Sequence, residues 1–183
     1  APMPAELAAI EAAVIGDTIF VVGGLDAFGR SVADVRAFDT KKNSWSQRAS
    51  LPKPLQHVAL AAYDGRLYAF GGFSGVSETP NNSVFIYDAS VDSWRAGRNL
   101  PQPVGGASAA VVGGAIHVLG GFSKGQSSDL HYVYNPAKDG WRISEALITG
   151  RDRAAVLVHD GTVYVFGGRQ GSILYPIADT TVY

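Results

Sequence analysis

The glycine pairs Gly23-Gly24, Gly71-Gly72, Gly120-Gly121 and Gly167-Gly168 recur at intervals of 48, 49 and 47 residues. A fixed period of this length marks an architecture built from repeated supersecondary units, none of which can bury its apolar face alone. That constraint outranks local propensity. It also places function in the loops between units rather than in one linear motif.

Each pair has the same surroundings. About 20 residues before it stands Met3-Pro4, Leu51-Pro52, Leu100-Pro101 or Leu147-Ile148. Closer to it lies a turn dipeptide, Gly16-Asp17, Asp64-Gly65, Gly113-Gly114 or Asp160-Gly161, followed by an apolar run. These runs are Thr18–Val22, Arg66–Phe70, Ala115–Leu119 and Thr162–Phe166, in which Phe20, Tyr68, His117 and Tyr164 occupy matching positions. After each pair comes an aromatic residue, Phe38, Tyr87, Tyr134 or Tyr183. Asp39, Asp88 and Asn135 follow the first three, and Trp45, Trp94 and Trp141 stand six residues beyond those. Insertions fall only between the glycine pair and the aromatic residue, which makes that segment a variable loop.

Each unit reads as four strands. The first is small and apolar (Val58–Ala62, Ala107–Val112, Ala154–Val158), as a crowded position near an axis requires. An Asp-Gly or Gly-Gly turn tolerates positive φ and folds the second strand straight back. The glycine pair ends that strand where backbone passes close to backbone. The third strand alternates, as in Val84-Phe85-Ile86-Tyr87, and the Asp or Asn after it caps a turn. The fourth carries the tryptophan, whose large apolar area fills the gap between neighbouring units. Four-stranded antiparallel sheets repeated at this period are propeller blades.

The Gly-Gly, the Tyr-Asp and the Trp six residues later resemble kelch repeats over nearly the whole chain. The expected fold is therefore an all-β, kelch-type β-propeller in one domain, with blades at about 3–50, 51–99, 100–146 and 147–183. The fourth unit stops on its aromatic residue, so three full blades and one without its outer strand are expected. Kelch propellers usually close with six blades, and the resemblance implies that these four are part of a larger ring. A second chain or a further segment would complete it; a closed four-bladed ring is the other reading.

Composition narrows the function. Hydrophobic residues make up 46% and charged residues 17%, which suits a packed core. The formal net charge of −1 offers no basic field to nucleic acid or to an anionic membrane surface. No apolar run reaches the length of a membrane span. The chain has no cysteine, which excludes disulfides and thiol catalysis. It also removes the crosslinked Cys–Tyr cofactor that resemblance to galactose oxidase, another kelch-type propeller, would imply. No compartment can be read from these features.

The histidines carry no metal pattern. His117, His131 and His159 occupy unrelated places in the repeat and read as structural, and no metal or cofactor is expected. His57 differs, because it lies where one blade hands over to the next. Propellers present binding residues in the loops before the first strand and between the second and third. Here those loops supply Arg30, His57, Phe73, Phe122, Lys124, Arg151, Arg153, Arg169 and Gln170. Arginine forks bind carboxylates bidentately, and aromatic rings supply rigid contact area. Alternatively, Arg151-Asp152-Arg153 is a self-paired cluster. The resemblance implies a non-catalytic module that grips a protein, a peptide or an anionic sugar. It also admits an enzyme similar to the bacterial kelch mutarotases that equilibrate sialic-acid anomers. In that case Arg151 or Arg153 would hold the carboxylate, and His57 or Glu6 would carry protons.

Overall fold

The turn dipeptides fold each apolar run back on its predecessor, and the resulting hairpins build four antiparallel sheets. The computed structural model describes residues 1–171, 175, 176, 178 and 180–183, so part of the fourth unit's variable loop lies outside the described residues. Blade I comprises β1 (Glu11–Ile15), β2 (Thr18–Val22), β3 (Val35–Asp39) and β4 (Ser44–Gln47), paired in that order. Blade II comprises β5 (Ala59–Tyr63), β6 (Arg66–Phe70), a loop ribbon of β7 (Phe73–Ser74) and β8 (Thr79–Pro80), then β9 (Val84–Asp88) and β10 (Ser93–Ala96). Blade III repeats this with β11 (Ser108–Val112), β12 (Ala115–Leu119), the ribbon β13 (Phe122–Ser123) and β14 (Gln126–Ser127), β15 (His131–Asn135) and β16 (Gly140–Ile143). Blade IV has β17 (Ala155–His159), β18 (Thr162–Phe166), the ribbon β19 (Arg169–Gln170) and β20 (Tyr175–Pro176), and β21 (Thr180–Val182). Its sheet runs β17-β18-β21, so β21 is an edge strand.

The four sheets stand side by side as propeller blades. Innermost strand β5 packs on β1 and β11, and β11 packs on β5 and β17. Among the described residues, β1 and β17 make no comparable contact, and Val14 on blade I and Leu157 and Phe166 on blade IV are exposed. The four innermost strands line an axial channel of about 300 Å³, walled largely by alanines such as Ala59, Ala107 and Ala155. Strands β5, β11 and β17 begin one residue later than their apolar runs, because the backbone two residues earlier turns left-handed.

Both faces of each inner blade are covered, so the alternation in the third strand does not separate inside from outside. Val84, Phe85, Ile86 and Tyr87 are all buried. Val84 and Ile86 join the core between blades II and III, whereas Phe85 and Tyr87 join that between blades I and II.

The glycine pair is a crossing point. A Cβ on Gly71 would strike the Val104 carbonyl in the next blade's linker, and one on Gly72 would lie 2.8 Å from the Gln56 carbonyl of its own. Close approach lets the second glycine's amide bond the neighbouring linker: Gly24 to Leu55 O at 2.9 Å, Gly72 to Val104 O at 2.9 Å, Gly121 to Arg151 O at 2.7 Å.

A second set of ties runs around the rim. Trp94 donates its indole N–H to Ala49 O at 2.8 Å, while Asp92 Oδ1 accepts the Ala49 amide at 2.9 Å. Trp141 and Asp139 hold Arg98 identically, at 2.9 and 2.8 Å. In blade I, Trp45 bonds Ala1 O at 3.1 Å and Asn43 accepts the Ala1 amino group. Each tryptophan also packs on its blade's aromatic residue, with centroids 5.0, 5.1 and 4.9 Å apart for Phe38–Trp45, Tyr87–Trp94 and Tyr134–Trp141. The tryptophans thus both fill and fasten the junctions. The Tyr87 hydroxyl and the Ala49 amide hold the Asp92 carboxyl below the usual carboxylate range.

Candidate functional site

The linkers before the innermost strands and the loops after the glycine pairs meet on one face. Four antiparallel bridges join them at equivalent places: Ala8 with Leu25, Gln56 with Phe73, Gly105 with Phe122, and Asp152 with Arg169. One residue further on, Ala9, His57, Gly106 and Arg153 adopt φ of 53°, 48°, 63° and 53°. Their backbones form a belt around the channel mouth. The His57 amide donates to Ala9 O at 3.0 Å, Gly106 to His57 O at 3.0 Å, and Arg153 to Gly106 O at 2.7 Å.

This belt places Arg153 and His57 on the mouth. Arg153 donates Nη2 to both carboxylate oxygens of Glu78, at 2.8 and 2.9 Å, spanning from blade IV to the ribbon of blade II. Blade III offers no obstacle, because its belt position is Gly106, where an added Cβ would come within 3.2 Å of the Arg153 chain. On its way the guanidinium lies 5.1 Å from the centre of the buried Phe73 ring. Phe73 stands 6.3 Å from Phe122 and meets His57 edge-on at 6.1 Å.

Asp152 anchors the arginines. It is buried, and its Oδ1 accepts Arg153 Nη1 at 2.7 Å and Arg169 at 3.1 Å (Nε) and 2.9 Å (Nη2). Its Oδ2 accepts the Ser127 hydroxyl at 2.7 Å. Desolvation, reinforced by the Arg169 charge, lowers the pKa of His57 against the opposing pull of Glu78 and Asp152. The imidazole is therefore neutral at pH 7, with Nδ1 buried and without a partner among the described residues. Gln56 Oε1, buried beside it, also has no partner there.

The remaining sequence candidates sit elsewhere. Lys124 and Gln170 line a polar groove of about 470 Å³ between the ribbons of blades III and IV, together with Ser123, Gln126 and Ser127. Arg30 stays on the blade I loop, bonded to Asp26 at 2.8 Å and stacked 5.0 Å over Phe28. Arg151 is only 1% exposed and donates to Thr149 O, Gly167 O and Thr181 Oγ1, a tie within the scaffold out of a surface ligand's reach. Glu6 is exposed on the segment before β1, and no hydrogen bond joins it to His57 among the described residues.

Two features escaped the sequence. Glu78 lies in the variable loop, where the repeat gives no register. His117 and His131, 14 residues apart, meet at 2.8 Å between Nδ1 and Nε2. His131 Nδ1 lies 2.9 Å from Glu145 O, which can only accept, so Nδ1 carries the proton. Nε2 of His131 must then accept from His117 Nδ1–H, and His117 Nε2 is unprotonated in the neutral pair. Desolvation lowers the pKa of both rings, and the nearby Arg142 lowers them further.

Blades, glycine crossings and tryptophan clamps together match a known repeat family. Residues 2–168 correspond to the KLHDC2/KLHL20/DRC7 Kelch-repeats domain. The chain belongs to the kelch-repeat family. Kelch-like protein terF of Aspergillus terreus is 29% identical over 163 residues, which cover 86% of this chain and 26% of that protein. Mouse Kelch-like protein 9 is 42% identical over 82 residues, 43% of this chain and 13% of the relative. The kelch chain thus spans about a quarter or less of the length of these relatives. The solved structure of YjhT superposes with a TM-score of 0.77 at 20% identity, covering 91% of this chain and 59% of that one. At that identity the likeness concerns the fold.

Proposed function

We propose that this kelch domain is a protein-interaction module whose loop face takes a carboxylate-bearing segment of a protein or peptide partner at Arg153. The observation that carries the reading is the Arg153–Glu78 pair above Phe73, in which Nη2 bonds both carboxylate oxygens. Arg153 is already oriented by buried Asp152, so little side-chain entropy is lost when it binds. Glu78 belongs to a loop and is half-exposed, so an incoming carboxylate can replace it without leaving a buried charge unpaired. Phe28 and Val76, 81% and 79% exposed at the loop tips of blades I and II, add apolar contact. His57, Phe122 and Arg169 supply the surrounding polar and aromatic surface, and Lys124 and Gln170 line a separate groove between the ribbons of blades III and IV. An anionic sugar would use the same guanidinium.

The test is a random-peptide selection on the full chain, with each enriched peptide re-measured against Arg153→Ala. Enrichment of Asp- or Glu-containing peptides that weaken at least tenfold on Arg153→Ala is expected. Peptides that bind both proteins equally, or no enrichment, would overturn the reading. Proton NMR of N-acetylneuraminate anomer exchange tests the enzymatic alternative directly, and no acceleration is expected.

A further inference from the structure

The loop ribbons of blades II and III differ in their turns. Between β7 and β8 the chain runs through Gly75, Val76, Ser77 and Glu78, whereas Lys124 and Gly125 alone join β13 to β14. The longer turn ends on Glu78, whose carboxylate meets the Arg153 guanidinium on the far side of Gly106. That turn is tied weakly to its own blade. Pro80, opposite Phe73, brings no N–H to the ribbon's ladder. The bonds that steady the turn are long: Glu78 N and Gln56 Nε2 each reach Gly75 O at 3.4 Å, and Ser74 Oγ reaches Thr79 O at 3.5 Å. The bonds to Arg153 are shorter, at 2.8 and 2.9 Å. Gly75 turns with a φ of 68° in open space, so the turn has a hinge. Its release strands no charge. The Glu78 side chain is 47% exposed, and Arg153 Nη1 keeps Asp152 Oδ1 at 2.7 Å.

We propose that Glu78 is a built-in competitor for Arg153 and thereby a specificity residue. It turns away lone small carboxylates and yields to a carboxylate whose bearer makes further contacts on the loop face. This rests on Arg153 being the carboxylate site proposed above. A tethered group competes at a fixed effective concentration, whatever the supply of free anions. A small acid offers Arg153 only the ion pair that Glu78 already makes, and a half-exposed pair of that kind is weak on either side of the exchange. A polypeptide segment adds contacts that Glu78 lacks, with the exposed Phe28 among them, and those contacts decide the exchange. The affinity of the site for any outside carboxylate falls in proportion to the fraction of molecules with Glu78 released.

The test follows the Arg153 Nε–Hε signal of the isotope-labelled full chain during titration with sodium acetate at constant ionic strength, with and without Glu78→Ala. Glu78→Ala should bind acetate about fivefold more tightly than the unsubstituted chain. Adding Arg153→Ala to that variant should abolish acetate binding, followed then by backbone amide shifts. Acidic peptides selected on the unsubstituted chain should also gain about fivefold on Glu78→Ala. Equal acetate affinity with and without Glu78, no acetate binding to either protein, or acetate binding that survives Arg153→Ala would each sink the proposal. If acidic peptides still weaken on Arg153→Ala, only the competitor role of Glu78 falls. Peptides indifferent to Arg153 would remove the carboxylate site as well.

Discussion

The junction between blades II and III and that between blades III and IV share one backbone register and differ in filling. The first is aromatic: Tyr68 lies 5.9 Å from Tyr134, and Phe70 lies 5.5 Å from Tyr134 and 5.4 Å from Trp141. The second places His117 and His131 where the first has Tyr68 and Val84, and keeps a cavity of about 320 Å³. Blade IV nevertheless stands in the same pose. Its linker still meets the glycine crossing, with the Gly121 amide on Arg151 O at 2.7 Å. Backbone bonds therefore set the blade-to-blade geometry, and side chains set how firmly and under what conditions each junction holds.

The largest expected effect tests firmness. Trp141→Ala should cost about 3 kcal/mol in urea denaturation, the low end for a large aromatic truncation because the ring is half-buried. Tyr183→Ala at the looser junction should cost less than about 1 kcal/mol. Equal losses would erase the distinction between the junctions.

Conditions come next. The folded pKa values of His117 and His131 lie below the ordinary histidine value of 6.5. The unfolded chain then binds protons first, so their contribution is complete above about pH 6.5 and is lost as pH falls toward the lowered values. Melting temperature should drop between pH 7 and pH 5, and the double variant His117→Phe, His131→Val should flatten that slope. An unchanged slope would place the pH sensitivity elsewhere.

His117→Tyr, which writes the blade II residue into blade III, sharpens the comparison by filling the cavity. A gain of about 1 kcal/mol is expected, and a loss would mean that the histidine pair, not the void, shapes the junction. The smallest effect lies at the channel, because Glu11 lines its wall yet stays exposed to solvent, which screens the charge. Desolvation raises the Glu11 carboxyl from 4.5 to about 7. A raised acid favours folding at low pH and loses that contribution as pH climbs through 7. Glu11→Gln should therefore stabilise slightly at pH 8 relative to pH 5, read as the difference in melting temperature.

Legibility followed the distinction between fixed and variable spacing. The second strands Thr18–Val22, Arg66–Phe70, Ala115–Leu119 and Thr162–Phe166 match their apolar runs residue for residue, because a turn and a glycine pair bracket each one. The Asn/Asp-x-Trp spacing was also in plain view at Asn43, Asp92 and Asp139, but the positive φ at each and the backbone group each one holds were not. Arg151, Asp152 and Arg153 were visible as a cluster. Their division into a buried tie, a buried anchor and a mouth residue depends on a left-handed turn that composition does not announce. Glu78 and the His117–His131 contact depend on loop lengths between the glycine pair and the third strand, the one interval that the repeat leaves free.

The belt at the channel mouth has a consequence for how such a face can change over time. Its four positions are occupied by alanine, histidine, glycine and arginine, and the three bonds that link them in a row use main-chain atoms alone. Side-chain identity there is uncoupled from assembly, apart from the modest cost of a left-handed backbone at a non-glycine residue. Ala9 and His57 can accordingly be randomised in a library while the row of amide bonds stays intact. New specificities can then be sampled one residue at a time, and a failed trial costs binding without costing the fold.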